Sequence, residues 1–198
     1  MRYAIIVRKV TPKFNPEAIT LIVGLGNPDE QYRHTYHNVG WQALDTLAGG
    51  AAFEQPGRAP FAAAVLRTGA VLVKPLTGMN VSGSAVRHAL RHFSIKDIGT
   101  LLVIHDDADL PVGSWKLQCG RGAAGHHGVA SIINALENRS FWRARIGIRA
   151  ESKSTRARRP RAGAFVLAPI NRADAAMLRS VFSDIEHSLS LSAARRSR

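Results

Sequence analysis

The stretch Leu21-Ile-Val-Gly-Leu-Gly-Asn-Pro-Asp-Glu-Gln-Tyr-Arg-His-Thr-Tyr-His-Asn-Val-Gly40 decides how the rest of the chain is read. An apolar run ends in a glycine turn carrying Asn27 and Pro28, a second turn follows, and His37-Asn38 then opens an amphipathic segment. Asn27 is thereby placed at the end of a strand, and His37 at the start of a helix. In α/β folds ligands bind in the crevice outside the carboxyl ends of the strands. Histidine is the side chain best suited to accept a proton near neutral pH.

The same pattern recurs along the chain. Strands are expected at 20–24, 61–67, 70–75, 100–105, 114–118 and 143–149. The second and third, joined through Thr68-Gly69, read as a hairpin. Helices are expected at 38–49, 79–93, 126–137 and 171–191. The second carries the apolar stripe Ala85, Val86, Ala89, Leu90 and Phe93; the last carries Ala173, Met177, Val181, Phe182, Ile185 and Leu189. Alternating strands and helices predict a single-domain three-layer α/β/α sandwich, and the hairpin makes its twisted sheet mixed. The domain is expected to span 20–191. Residues 1–19, with Pro12 and Pro16, read as an N-terminal extension, and 192–198 as a basic C-terminal tail.

With 198 residues, 45% of them hydrophobic, the chain can bury a core and is not a disordered polymer. One cysteine, Cys119, rules out an internal disulfide framework and suits the reducing cytoplasm. The apolar run 4–7 is too short for a signal core or a membrane span, so no membrane partner is expected. A net charge of +13 favours a polyanionic partner. Between Arg139 and Gly163 nine Lys/Arg face one acid, Glu151, and about 150–163 reads as an exposed basic lid loop. In 143–149, Ala144, Ile146 and Ile148 alternate with Arg143, Arg145 and Arg149, a strand with one charged face.

Several chemistries fit poorly. Gly24-Leu-Gly26 lacks the third glycine of a dinucleotide turn, and Pro28 disturbs the helix start that a pyrophosphate needs. A G-x-S-x-G elbow is missing. His88 and His92 stand four residues apart on a helix without the glutamate of a zinc hydrolase, and a solvated basic face explains them better. Four polar clusters at strand–helix junctions remain: 27–38, 74–83, 105–111 and 120–128. Singly, Asn80 reads as a helix cap and Asp106 as a turn former. Jointly they call for a site.

These clusters resemble the motifs of bacterial-type peptidyl-tRNA hydrolases over nearly the whole domain. Gly24, Gly26, Asn27, Pro28, Tyr32, Thr35, His37, Asn38 and Gly40 match the opening motif. Lys74, Pro75, Thr77, Met79, Asn80, Ser82 and Gly83 match the second, and His105, Asp106, Asp109, Leu110 and Pro111 the third. Arg145 to Ile148 match the R-I-G-I strand. The resemblance implies hydrolysis of the ester joining a peptide to the terminal ribose of tRNA, by a cytoplasmic monomer without metal or cofactor. It also implies roles: His37 as the base that activates water, Asp106 as its orienting carboxylate, Asn27 placing substrate and water, and Asn80 donating to the reacting carbonyl. Tyr32 and Met79 would line the groove for the tRNA end and first peptide residue, and His127 would sit at its mouth. Apart from the resemblance, the density of basic residues in one stretch places tRNA phosphates along Arg143, Arg145 or Arg149 and the loop with Lys153, Arg156, Arg158, Arg159 and Arg161. The partner implied is peptidyl-tRNA, held by its acceptor end and stem.

This chain departs from the family pattern at His127, where asparagine is usual, and at Tyr36, where Arg or His is usual. An imidazole cannot reproduce an amide's simultaneous donor and acceptor geometry. The alternative that this substitution keeps open is a non-catalytic RNA-binding member of the same fold.

Overall fold

The computed structural model describes residues 12–149 and 165–189. The strands β1 (Leu21–Gly24), β2 (Phe61–Val65), β3 (Val71–Pro75), β4 (Leu101–Pro111), β5 (Trp115–Cys119) and β6 (Trp142–Arg149) form one 6-stranded sheet in the order β2-β3-β1-β4-β6-β5. β1 pairs parallel with β3 and β4, and β4 with β6, while β2 and β5 close the edges antiparallel. The sheet is therefore mixed, and the 61–75 hairpin forms as expected. From β1 the chain builds first toward β3 and then across to β4. The gap between the ends of β1 and β4 is thus the switch point at which open α/β sheets bind ligands.

The helices α1 (Val39–Ala48), α2 (Ser82–His92), α3 (His127–Leu136) and α4 (Arg172–Ser188) cover both faces. Leu21, Val23, Leu101 and Val103 point into the layer shared with α2 and α3. Ile22, Leu102, Ile104, Ala144 and Ile146 point into the layer shared with α1 and α4. Covered on both faces, the central strands need no polar alternation and read as continuous apolar runs.

Two glycines bring α1 against the strand ends. A Cβ on Gly24 would lie 2.3 Å from the carbonyl oxygen of Gly40, and one on Gly40 would lie 2.5 Å from that of Ile104. Any side chain at either position would push α1, and His37 just before it, off the ends of β1 and β4.

The structure amends several sequence expectations. His105 and Asp106 do not end a strand: β4 runs on to Pro111, with its register against β6 shifting between Asp107 and Pro111. Residues 12–19 are not free of the domain. Phe14 meets Trp142 edge-on with centroids 4.9 Å apart, and Ile19 is buried in the core. Residues 1–11, the basic loop 150–163 and the tail 192–198 lie outside the described residues. In α4 the buried stripe is Asp174, Leu178, Val181, Phe182 and Ile185, with Met177 41% exposed and Ala173 at the surface. Asp174 turns inward because it has a buried partner, described below. Arg143 is likewise not on an open charged face; it is 3% exposed, and its guanidinium donates to the Arg121 carbonyl at 3.1 Å.

Candidate active site

Asp106 sits in β4, past Ile104, where that strand outruns the end of β1. It is 4% exposed, and its Oδ1 lies 2.9 Å from His37 Nδ1 and 2.9 Å from His126 Nε2. A carboxylate only accepts, so both ring nitrogens donate. His126 also caps α3: its Nδ1 accepts the Val129 N–H at 3.3 Å, which agrees with the proton on Nε2. With Nδ1 of His37 protonated, its Nε2 is left as a lone-pair base in the neutral ring. Burial pushes the Asp106 carboxyl up, but the electrostatic attraction and hydrogen bond of His126, with those of His37, outweigh it and hold the group well below the usual carboxylate range. His105 packs edge-on against His126 with centroids 4.6 Å apart, and its Nδ1 lies 2.7 Å from the Asp106 carbonyl oxygen. Full burial, and then the neighbouring His126, push its pKa well below the ordinary imidazole value, so this ring stays neutral.

Asn27 is held by its own backbone and by the next cluster. Its N–H donates to Asn38 Oδ1 and its carbonyl accepts from Asn38 Nδ2, both at 2.9 Å. Its side-chain Oδ1 accepts the Met79 N–H at 2.9 Å. The acceptor end is thereby used, and the Nδ2 donors have no partner among the described residues. Met79 is 5% exposed and lies beneath Gly128, where a Cβ would come within 2.5 Å of its Sδ. The methionine therefore seats α3 against the 79–81 turn. Asn80 is exposed on that turn, and His127 is exposed at the first position of α3. Tyr32 is half-buried, with its carbonyl accepting from Thr35 Oγ1 at 2.8 Å. Arg145 is partly buried and engaged, its Nε on Asp107 Oδ2 and an Nη on Gln118 Oε1, each at 2.5 Å.

A further set of contacts ties the base to the far side of the basic loop. His37 N donates to the Val166 carbonyl at 2.8 Å, and Tyr36 N to Ala168 at 3.3 Å. The Tyr36 ring stacks on Phe165 with centroids 4.9 Å apart, and its hydroxyl donates to Asp174 Oδ2 at 2.5 Å. Asn171 Nδ2 donates to the same carboxylate oxygen at 3.0 Å and caps α4 through its Oδ1. Burial first, and the carboxylate second, push the Tyr36 phenol up to about 12.

The structure thus joins His37 to Asp106 and Asn27 to Met79, and it leaves Asn80, His127 and Tyr32 without a hydrogen bond to either pair. Sequence reading assigned no role to His126, Asn38 or Asp174. His126 carried one signal, a histidine at the N-cap position of a helix after a glycine run. Asp174 carried only an acid in a first helical turn, which the macrodipole already explains. Among the described residues, His37, Asp106 and His126 offer ligand atoms all within 4.8 Å of one another, a group that could hold a metal ion. The carboxylate oxygen they share is nonetheless fully served by two N–H donors. Beside this cluster a cleft of about 510 Å³ is lined by Asn27, Pro28, His34, Asn38, Trp41 and Lys74, among others. It adjoins the site through Asn27 and Asn38. Lys74 is held there by an ion pair with Asp45 and lies 4.3 Å from the centroid of the Phe53 ring.

The comparisons with known proteins agree. A family model described as peptidyl-tRNA hydrolase matches residues 21–197. The peptidyl-tRNA hydrolase of Prochlorococcus marinus is 36% identical over 175 residues, covering 86% of this chain and 84% of that one. The peptidyl-tRNA hydrolase of Desulforudis audaxviator is 46% identical over 132 residues, 65% of this chain and 67% of that one. The crystal structure of peptidyl-tRNA hydrolase from Acinetobacter baumannii superposes with a TM-score of 0.77 at 27% identity, covering 90% of both chains.

Proposed function

We propose that this chain, which belongs to the peptidyl-tRNA hydrolase family, hydrolyses the ester between a peptide, or an N-blocked aminoacyl group, and the terminal ribose of tRNA. Such an activity recycles tRNA from peptidyl-tRNA released prematurely by ribosomes. The observation that carries the assignment of the base is the 2.9 Å contact of His37 Nδ1 with a buried carboxylate that also holds His126.

In the proposed reaction His37 Nε2 takes a proton from water as the oxygen attacks the ester carbonyl carbon. The imidazolium so formed is stabilised by Asp106, whose charge is retained because two N–H donors hold it ionised. The tetrahedral intermediate collapses with cleavage of the carbonyl–ribose C–O bond, and the imidazolium returns its proton to the ribose oxygen. The products are a free tRNA end and a peptide acid, which gives its remaining proton to solvent and leaves as the carboxylate. Developing negative charge on the carbonyl oxygen needs fixed donors, which the Nδ2 groups of Asn27 and Asn80, without a partner among the described residues, supply. The carbonyl of an ester is more electrophilic than that of an amide, and a ribose oxygen leaves far more readily than an amide anion, so no serine nucleophile is required. Tyr32 and His127 flank the substrate at the rim. The proposal includes a monomer working in the cytoplasm and binding the acceptor end and stem. Among the described residues no helix is long and apolar enough to cross a membrane.

The test is release of N-blocked amino acid from tRNA by the wild type and by His37→Ala. Loss of a general base should lower turnover by about 10²-fold or more with the fold intact. A folded wild type that binds tRNA but releases nothing turns the assignment to the RNA-binding alternative. Turnover by His37→Ala within a few-fold of wild type removes His37 as the base.

A further inference from the structure

Between Gln55 and Lys96 the chain has no acidic residue and six Lys/Arg: Arg58, Arg67, Lys74, Arg87, Arg91 and Lys96. This block makes β2, β3 and α2. Lys74 is used by Asp45. Arg87, Arg91 and Lys96 are exposed and form no ion pair among the described residues. On α2 the exposed positions are Ser84, Arg87, His88, Arg91 and His92, while Ala85, Val86, Ala89 and Leu90 are buried. The exposed positions 84, 87 and 91 share one helical face, and Asn80 lies on the 3-10 turn that leads into α2. At 1.5 Å per residue, Arg87 stands roughly 8 Å and Arg91 roughly 14 Å along the axis from Ser82 at the helix start.

A helix that only needed solubility would mix its charges, since like charges four residues apart cost about 0.2–0.5 kcal/mol and an acid three or four positions away would reverse that. The macrodipole accounts for cations in the last turn, Arg91 and His92, but not for Arg87 in mid-helix nor for Lys96 beyond the end. The substrate proposed above has one obligatory polyanion, the RNA strand that ends at the reacting ester. We infer that Arg87, Arg91 and Lys96 form a phosphate track that leads the terminal RNA strand along α2 to Asn80. It rests on the proposed function and adds to it a binding surface on α2.

The test is the triple variant Arg87→Gln, Arg91→Gln and Lys96→Gln, whose replacements are good helix formers. KM for N-blocked aminoacyl-tRNA is measured against salt, beside a minimal substrate with only the terminal nucleoside ester. Three lost phosphate contacts at about −0.7 each on a single strand should make the log–log salt slope shallower by about two and raise KM roughly tenfold at moderate salt. Turnover of the minimal substrate should match wild type. An unchanged KM and salt slope for the full substrate overturn the track while leaving the hydrolase intact. Equal losses on both substrates also overturn it, because they show a defect in the helix rather than in RNA contact. If wild type hydrolyses neither substrate, the proposed function fails first. Affinity for uncharged tRNA then judges the track alone, and equal affinity in the variant ends it.

Discussion

His126 and His127 are neighbours of the same residue type, and the structure gives them opposite fates. His126 is the N-cap of α3, its two ring nitrogens used by the Val129 N–H and the Asp106 carboxylate. His127 is the first residue inside the helix, exposed and without a partner among the described residues. One step along a helix start turns a side chain by about 100°. The step takes the chain from a buried network, where each group is fixed by the others, to a rim that only a ligand would order. Substitutions in the first region should be costly and coupled. Substitutions in the second should be mild.

The largest effect is expected from Asp106→Asn. The amide keeps the size of the carboxylate but not its charge, and its neutral oxygen is a weaker acceptor for the two histidine N–H groups that share Oδ1. Turnover should fall by about 10²–10⁴-fold, the range for losing an oriented base. The folded-state carboxyl is held below its usual range, so its contribution to stability is present above the unfolded value of roughly 3.9 and is lost as pH falls through the folded value. The stability gap between wild type and variant should therefore be widest above roughly pH 4 and close in stronger acid. Turnover near wild type would show that the buried cluster is only a scaffold.

An intermediate effect is expected from Tyr36→Phe. It removes the hydroxyl that donates to Asp174 and leaves the stack on Phe165. Asp174 keeps only the Asn171 donor, which should cost about 1–3 kcal/mol of stability by chemical denaturation. The phenol is raised from 10.0 to about 12, so its contribution to stability is full below pH 10 and is lost as pH rises toward 12. The advantage of wild type over Tyr36→Phe should shrink across that window. Ultraviolet titration should show one tyrosine ionising about two units late and missing in the variant. A tyrosine titrating normally would mean that the bond to Asp174 does not persist in solution.

The smallest effect is expected from His127→Asn, which restores the residue usual in the family. Activity at neutral pH should stay within a few-fold of wild type or rise, and melting should not change, because an exposed residue without partners is removed. Strong inactivation would move His127 from the rim into the working network and erase the contrast with His126.

Much of this was legible in the chain. Each described strand begins within one residue of its expected start and each α-helix within three, because the central strands are apolar runs bounded by turns and α2 carries a clean helical stripe. The exceptions are instructive. β4 was expected to stop at His105 because polar residues follow, yet strand pairing with β6 continues through them: Asp106 pairs Ile146 and Asp107 pairs Gly147. A polar run in mid-strand looks like a turn until its hydrogen-bond partners are known. The α4 stripe slipped at its first turn because a buried acid reads as a surface one unless its donor is seen.

The residue types and their order by themselves determined the layers, the strand–helix junctions and the identity of His37, Asp106, Asn27 and Asn80 as candidates, since periodicity and motif spacing are local properties. Tertiary structure decided which of them meet. His37 and Asp106 are 69 residues apart, Asp106 and His126 are 20, and Tyr36 and Asp174 are 138. Such contacts depend on strand order and on the close passage of Gly24 and Gly40, which no local pattern records. They also decide which cations are engaged, as Arg143 and Arg145 show beside Arg87 and Arg91, which are exposed and form no ion pair among the described residues. Charge is written in composition, but whether it faces a carbonyl, a carboxylate or water is settled only when the chain packs.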